Sequence, residues 1–503
     1  MKIKCYFVLI LSILCLFGYS QNNINYSIRL EYDIPAKNYI SNFFIETSDS
    51  YYFIRFDNKG FVITKDSKIF IEKFNKNFEH ISSSELEFPK NVLSNKITPL
   101  KFLNIKGHLI LYATSYFASN NMFISYLIKY NYNGKIEENP LKLGEQKVID
   151  LKKLIAYKYF KIIKYNDKIL FIQKIDESNK VKLILKSINI DLFYDWEKSF
   201  VINYSPIFYQ VIDVNINKNQ EIFFLVKTID INKNMKDIYK LNIYNPVKNE
   251  TVTYDITIKD KEISKIKLGR HSDGKIYIYG FYKNKDENNI LGTFYFLFDS
   301  KIIISQAISK ISEKIKDELK KSKSRGKEKI KNARLQELIF TDDKKIIIIT
   351  EFDWTEMSNF YDSDGKFYQR PLYFSFDIFI QCFDISGSLL WSKLIPKNQI
   401  TSYAFDILSY KSILTKDKLY FLFNDNVKNK NVYDIKKIKK MNTNFILNVC
   451  ELNLLTGDYK KNILTIKKNE VCFRKKYTFK TFNGNLLIID KNKKIRLLEI
   501  KFE

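Results

Sequence analysis

A two-part motif recurs along the chain at a near-constant interval, and that periodicity constrains the fold more than any other feature. The first part is a short apolar strand opened by a polar turn. It occurs eight times, at residues 51–56, 108–112, 168–172, 221–225, 275–279, 345–349, 418–422 and 485–489. Turns such as Lys106-Gly107, Asn166-Asp167, Asp273-Gly274 and Asn483-Gly484 precede several of these strands and favour tight hairpins. The second part is an alternating strand closing on an apolar residue followed by Asn or Asp. Its seven instances end at Asn75, Asn131, Asn189, Asn245, Asp299, Asp384 and Asn453, with spacings of 56, 58, 56, 54, 85 and 69 residues. The two long intervals hold insertions, so the base period is about 55.

Each period has room for four short strands, A to D. The expected fold class is all-β: a β-propeller of four-stranded antiparallel blades, eight in number with seven as the runner-up. Radial closure leaves only short, protected sheet edges. A solenoid would want shorter repeats and distinct polar caps. The last unit offers A near 477–481, B at 485–489 and C at 494–502, and lacks a fourth strand. Residues 26–32 can supply it, so the ring is expected to close by pairing the N- and C-terminal strands.

Composition fits this class. Aromatic content is 16%, which suits pleated surfaces. Hydrophobic content of 45% excludes wholesale disorder, and 14 Gly with 8 Pro are too few for a collagen-like chain. The net charge is +27, but only eight of the 83 basic residues are Arg, the side chain that reads phosphates and base edges bidentately. The excess travels with Ile, Asn, Tyr and Phe and reads as a codon-biased, solvated Lys coat. Lipid headgroups, lipopolysaccharide or acidic polysaccharide are the partners it could otherwise attract. Nucleic acid is not expected.

Residues 1–20 read as a signal peptide: Lys2 and Lys4, an apolar run from Cys5 to Phe17, then Gly18 and Ser20 at the −3 and −1 positions. The mature chain, 21–503, is expected to be a single propeller domain in the periplasm, with the cell surface or secretion as alternatives. Cys382, Cys450 and Cys472 form no disulfide framework, although Cys450 and Cys472 could pair.

Three insertions fall in D–A or B–C connections, which share one face of a meander: residues 307–334, 352–372 and 424–443. Loops on a rigid scaffold commonly carry binding, so this face is the expected binding face. In the first insertion Ile308, Ile311, Ile315 and Leu319 predict an amphipathic helix, followed by a Lys-rich tether at 320–327. The second mixes aromatic faces with fixed polar groups, as a glycan or peptide site needs. Its candidate ligand-binding residues are Trp354, Tyr361, Asp362, Asp364, Tyr368 and Arg370. The plain alternative is a long hairpin with an Asp-Gly turn and a buried Trp. Asp362-Ser363-Asp364-Gly365 resembles part of a calcium loop, but the third acidic ligand and the distal Glu are absent, so no metal is assigned. The third insertion, with Lys436, Lys437, Lys439 and Lys440, reads as a solvated basic loop.

No G-x-S-x-G, H-E-x-x-H, C-x-x-C or P-loop occurs, and His80, His108 and His271 lie in separate units. No catalytic residue and no cofactor is assigned. The segment from Asp377 through Asp384 and Trp391 to Pro396-Lys397-Asn398-Gln399, preceded by an Ile-rich strand ending in Thr350-Glu351, resembles an element of one family. That is an uncharacterised family of exported β-propeller-like proteins of AT-rich gram-negative bacteria, matched best around residues 300–400. The resemblance implies an extracytoplasmic propeller and supplies no activity. The expected function is a non-enzymatic binding or scaffold protein recognising a protein or glycan of the cell envelope, with weak contact to an anionic membrane surface as an addition. The alternative is a hydrolase or lyase acting on a surface polysaccharide, which needs only carboxylates near the channel.

Overall fold

The computed structural model describes residues 25–502 except 33–38, 58–67, 90–95, 118–121, 148–159, 177–179, 203–207, 231–235, 286, 322–331, 362–363, 403–404, 442–444, 465–472, 476–477, 482–485 and 492–494. The expected signal peptide, Cys472 and most of the Lys-rich tether therefore lie outside the described residues. Within them the strands form eight four-stranded antiparallel sheets. Seven blades are contiguous in sequence. The eighth is composite, with Thr478–Lys480, Leu486–Lys491 and Ile495–Lys501 completed by Asn25–Tyr32. Asn25 pairs with Lys501 and Tyr32 with Ile495, so the ring closes between the two ends of the chain. Every strand expected to be B is the second strand of its blade.

The recurring Asn has a local cause. In six of the seven C–D turns its side chain accepts backbone N–H groups two to four residues ahead. Asn131 Oδ1 takes Asn133 N at 2.9 Å and Lys135 N at 3.1 Å, and Asn75, Asn189, Asn245, Asp384 and Asn453 do the same. This Asx turn reverses the chain within a few residues. The A–B turn at Lys106 and Gly107 has φ of 48° and 83°, as a primed hairpin turn requires.

The C–D turns of blades 2 and 6 also seat on the D strand of the blade before them. A Cβ at Gly134 would lie 2.4 Å from the Glu85 carbonyl oxygen, and one at Gly387 only 2.0 Å from that of Gln306. Both glycines have positive φ, 78° and 92°. Gly387→Ala combines left-handed strain with a backbone clash, so the expected cost is about 2–4 kcal/mol. Urea unfolding measures it, and an unchanged midpoint would disprove the contact between blades.

Two expectations about the insertions change. Ile308 is not on the helix: it is exposed on strand D of blade 5, Ile302–Lys310, because alternation with Ala307 continues past the expected boundary. The helix α1 is Glu313–Lys321, and Ile311, Ile315 and Leu319 are buried as expected. Residues 352–372 are not a loop but the long hairpin that stood as the plain alternative. Strands B and C of blade 6, Ile346–Tyr361 and Phe367–Phe383, stay paired out to Tyr361 and Phe367. Pro371 lies within the arm opposite Met357, and the ladder continues on both sides of it. The third insertion keeps its lysines exposed but is not a slack loop. Asn429, fully buried, donates to Asp425 Oδ1 at 2.7 Å and to the Lys439 carbonyl at 2.8 Å, and Asn426 holds the Lys440 carbonyl at 2.7 Å. Ile435 of this loop, the helix and the hairpin base share one apolar cluster.

Candidate ligand-binding cleft

Sheet order puts strand A at one edge of each blade, and A strands approach one another around the axis. Lys101 Nζ reaches the Ile162 carbonyl at 3.1 Å, Lys161 that of Val214 at 2.6 Å, Lys265 that of Ala333 at 2.8 Å and Lys267 that of Leu335 at 2.6 Å. Lysine side chains thus stitch successive A strands. Lys161 also pairs with Asp213.

An open cleft of about 720 Å³ lies on the face of the D–A and B–C connections, at blade 6. Its axial side carries Lys265, Arg334, Gln336 and Lys475. Its outer side carries Asp353, Trp354 and Thr355 from strand B and Tyr373, Phe374 and Ser375 from strand C. Asp406, Leu408 and Ser409 of the D–A connection complete it. A bulge between Glu351 and Asp353 re-aims strand B where it meets the cleft. The half-buried Trp354 ring stacks on Phe374 at 5.0 Å and 13°, and its Nε1 donates to Glu356 Oε1 at 2.9 Å, so the ring is held as a platform.

The floor is a buried polar network. Glu351 and Lys397, both 0% exposed, pair at 2.8 Å. Ser375 Oγ donates to Glu351 Oε1 at 2.7 Å; Gln336 Nε2 and Ser409 Oγ donate to Oε2 at 2.9 and 2.5 Å. Lys397 Nζ donates to Gln399 Oε1 at 2.8 Å, and its backbone N–H to Asp377 Oδ1 at 3.0 Å. Glu351, Asp377, Lys397 and Gln399 are residues of the element that carried the family resemblance, here gathered beneath one site. Lys475 Nζ donates to Gln336 Oε1 at 3.1 Å, linking the floor to the axial wall.

Two of the acidic groups here differ. Burial would raise the Glu351 carboxyl, but the charge and hydrogen bond of Lys397, with Ser409, hold it below its ordinary value. Burial raises Asp353, the Glu351 charge raises it further, and Arg334, 2.9 Å away, only partly opposes this.

Of the six residues expected at the site, Trp354 lines the cleft. Tyr361 stands exposed at the hairpin tip, its ring 5.6 Å from that of Phe367. Tyr368 and Arg370 are on the arm, with the guanidinium 4.5 Å over the ring. Asp364 is exposed in the turn, and Asp362 lies outside the described residues. Sequence reasoning missed Lys265, Arg334, Gln336, Ser409 and Lys475, which come from four different connections or strands and share no local pattern. The three histidines sit apart: His80 on Glu72, His108 on Glu137 and His271 on Asp273. Cys382 and Cys450 are buried thiols pushed up to about 12 by burial. Among the described residues no group of three or more His, Cys, Asp or Glu is placed to hold a metal ion.

No known family profile matches the chain, and no curated protein does. Solved structures similar in fold include the β-propeller domain of the Trilobed protease from Pyrococcus furiosus, at 8% identity and a TM-score of 0.35 over 81% of this chain and 94% of that one. The polysaccharide lyase Uly1 aligns at 9% identity and 0.38 over 83% and 92%. Prolyl oligopeptidase B from Galerina marginata aligns at 8% and 0.36 over 95% of this chain, which spans 56% of that enzyme. Likenesses of this size carry nothing about activity.

Proposed function

We propose that the protein is an exported, non-enzymatic β-propeller binding protein that takes a glycan of the cell envelope in the cleft at blade 6. The observation that carries this reading is the fixed Trp354 platform facing a site with Gln336, Ser375 and Ser409 held in place from below. An aromatic face with a few oriented polar groups is what sugar recognition needs. The sealed Glu351, already saturated by four donors, is out of a substrate's reach, which favours binding over hydrolysis by a carboxylate pair. Titration of the full-length protein with envelope polysaccharide fractions tests the reading. Trp354→Ala is expected to weaken binding at least tenfold, about 1.4 kcal/mol, while Tyr361→Ala at the hairpin tip leaves it intact. Loss with Tyr361→Ala and retention with Trp354→Ala would move the site out of the cleft.

A second reading has one observation in its favour. A carboxyl raised in a cleft beside an ionised one is the pattern of an acid/base pair. A polysaccharide hydrolase or lyase would release new reducing ends or unsaturated termini from the same fractions. Asp353→Asn would stop that release.

A further inference from the structure

Cations on the axial side of the cleft exceed the carboxylates that could pair with them. Asp353 takes Arg334, and Asp406 takes Arg474. Lys265 spends one donor on the Ala333 carbonyl, Lys267 one on that of Leu335, and Lys475 two, on Gln336 Oε1 at 3.1 Å and Ser409 Oγ at 3.5 Å; none of the three forms an ion pair among the described residues. An ammonium has three donors, so Lys265 and Lys475, which line the cleft, keep some for a ligand. Burial holds Lys267 below its ordinary value, and the charges of Arg334 and Lys475 press it further down. Like charges gathered on one wall of a cleft cost stability, and such a cost is commonly kept where it serves a ligand. The aromatic wall lies outward of these cations, because strands B and C follow A in the sheet.

We propose that the ligand of the cleft is an acidic glycan, whose anionic group is held by Lys265, Arg334 and Lys475 while a sugar ring lies on Trp354. This rests on the cleft being a glycan site. The rival explanation is the general Lys coat, which attracts any polyanion at low salt. Short ligands at physiological salt separate the two. The probes are a galacturonic acid trisaccharide, a sulfated galactose trisaccharide and the neutral galactose trisaccharide, titrated against the full-length protein.

At least one acidic probe is expected to bind tenfold or more tightly than the neutral one, and which one tells carboxylate from sulfate. Each charge-assisted hydrogen bond removed costs about tenfold or more, so Lys265→Met with Lys475→Met should erase the preference. The exposed-loop variant Lys436→Gln, Lys437→Gln, Lys439→Gln and Lys440→Gln should keep it. The Lys265→Met, Lys475→Met protein should melt close to the parent, because relieved repulsion offsets the lost hydrogen bonds to Ala333 and Gln336. Equal binding of neutral and acidic probes, lost in Trp354→Ala, would overturn the acidic proposal and leave the glycan reading standing. A preference that survives in the double variant and vanishes in the loop variant would assign it to the coat. Binding of none of the three would overturn the proposal together with the reading beneath it.

Discussion

Lys397→Met is expected to lower the unfolding free energy by about 3–5 kcal/mol, the cost of leaving a buried charge without its partner. Glu351 would remain fully enclosed with only neutral donors around it. Replacing both partners, Lys397→Met with Glu351→Leu, should recover most of the loss. The ground for this is that burial pulls the Lys397 ammonium below its ordinary value despite the attraction of Glu351. A pair in that condition has not fully repaid its desolvation. Chemical denaturation of the single and double variants measures both effects, and additive losses would refute the argument.

The pH dependence adds a sign. In the parent, Glu351 is held below its ordinary value, so its contribution is present at neutral pH and lost as pH falls through the folded-state value. In Lys397→Met the lysine charge is gone and burial, the largest influence on this carboxyl, pushes it up. The carboxyl then favours its neutral form in the folded state. The variant should gain stability on mild acidification where the parent does not.

Deleting residues 25–32 is the second change with a large expected effect. It strips seven paired positions from Ile495–Lys501 and leaves that strand as an open edge. With a net value of about 0.5–1.5 kcal/mol per hydrogen-bonded contact, the loss is expected to reach several kcal/mol. The ring also loses the junction that makes blade 8 part of it. Proteolysis should therefore attack blade 8 first, with blades 3 to 5 protected longest. A peptide of sequence NYSIRLEY, supplied in excess, should restore protection by adding itself to the edge. A deletion variant that melts with the parent would show that Asn25–Tyr32 does not close the ring.

The fold was readable because its signal is local and repeated. An Asn that captures N–H groups two to four residues ahead must sit at a fixed place in each turn, so the period survives in the sequence. Strand closure was readable as a shortfall in the last unit. The hairpin arm was readable as the plain alternative, a long hairpin with an Asp-Gly turn; its ladder runs on through Pro371, which pairs in register with Met357. The cleft was half readable. Trp354 announced itself as an aromatic in an insertion. Lys265, Arg334 and Lys475 looked like any other base in a chain with 83 of them. Only three-dimensional closure brings them together on one wall of the cleft. Glu351 and Lys397 were visible as parts of a resemblance, but not as partners.

Because strand 25–32 pairs with 495–501, the first strand of the propeller to be made must wait for the propeller's last. Seven blades can assemble from neighbours in the chain as they are synthesised. The eighth joins the segments of the propeller that are farthest apart in sequence and is the slowest kind of contact to form. Until then the nascent ring carries two exposed edges, the form in which β proteins stick to one another. A chaperone that shields residues 25–32 would therefore protect this protein longer than one acting on any other strand, and a stalled or shortened chain would remain marked by that open edge.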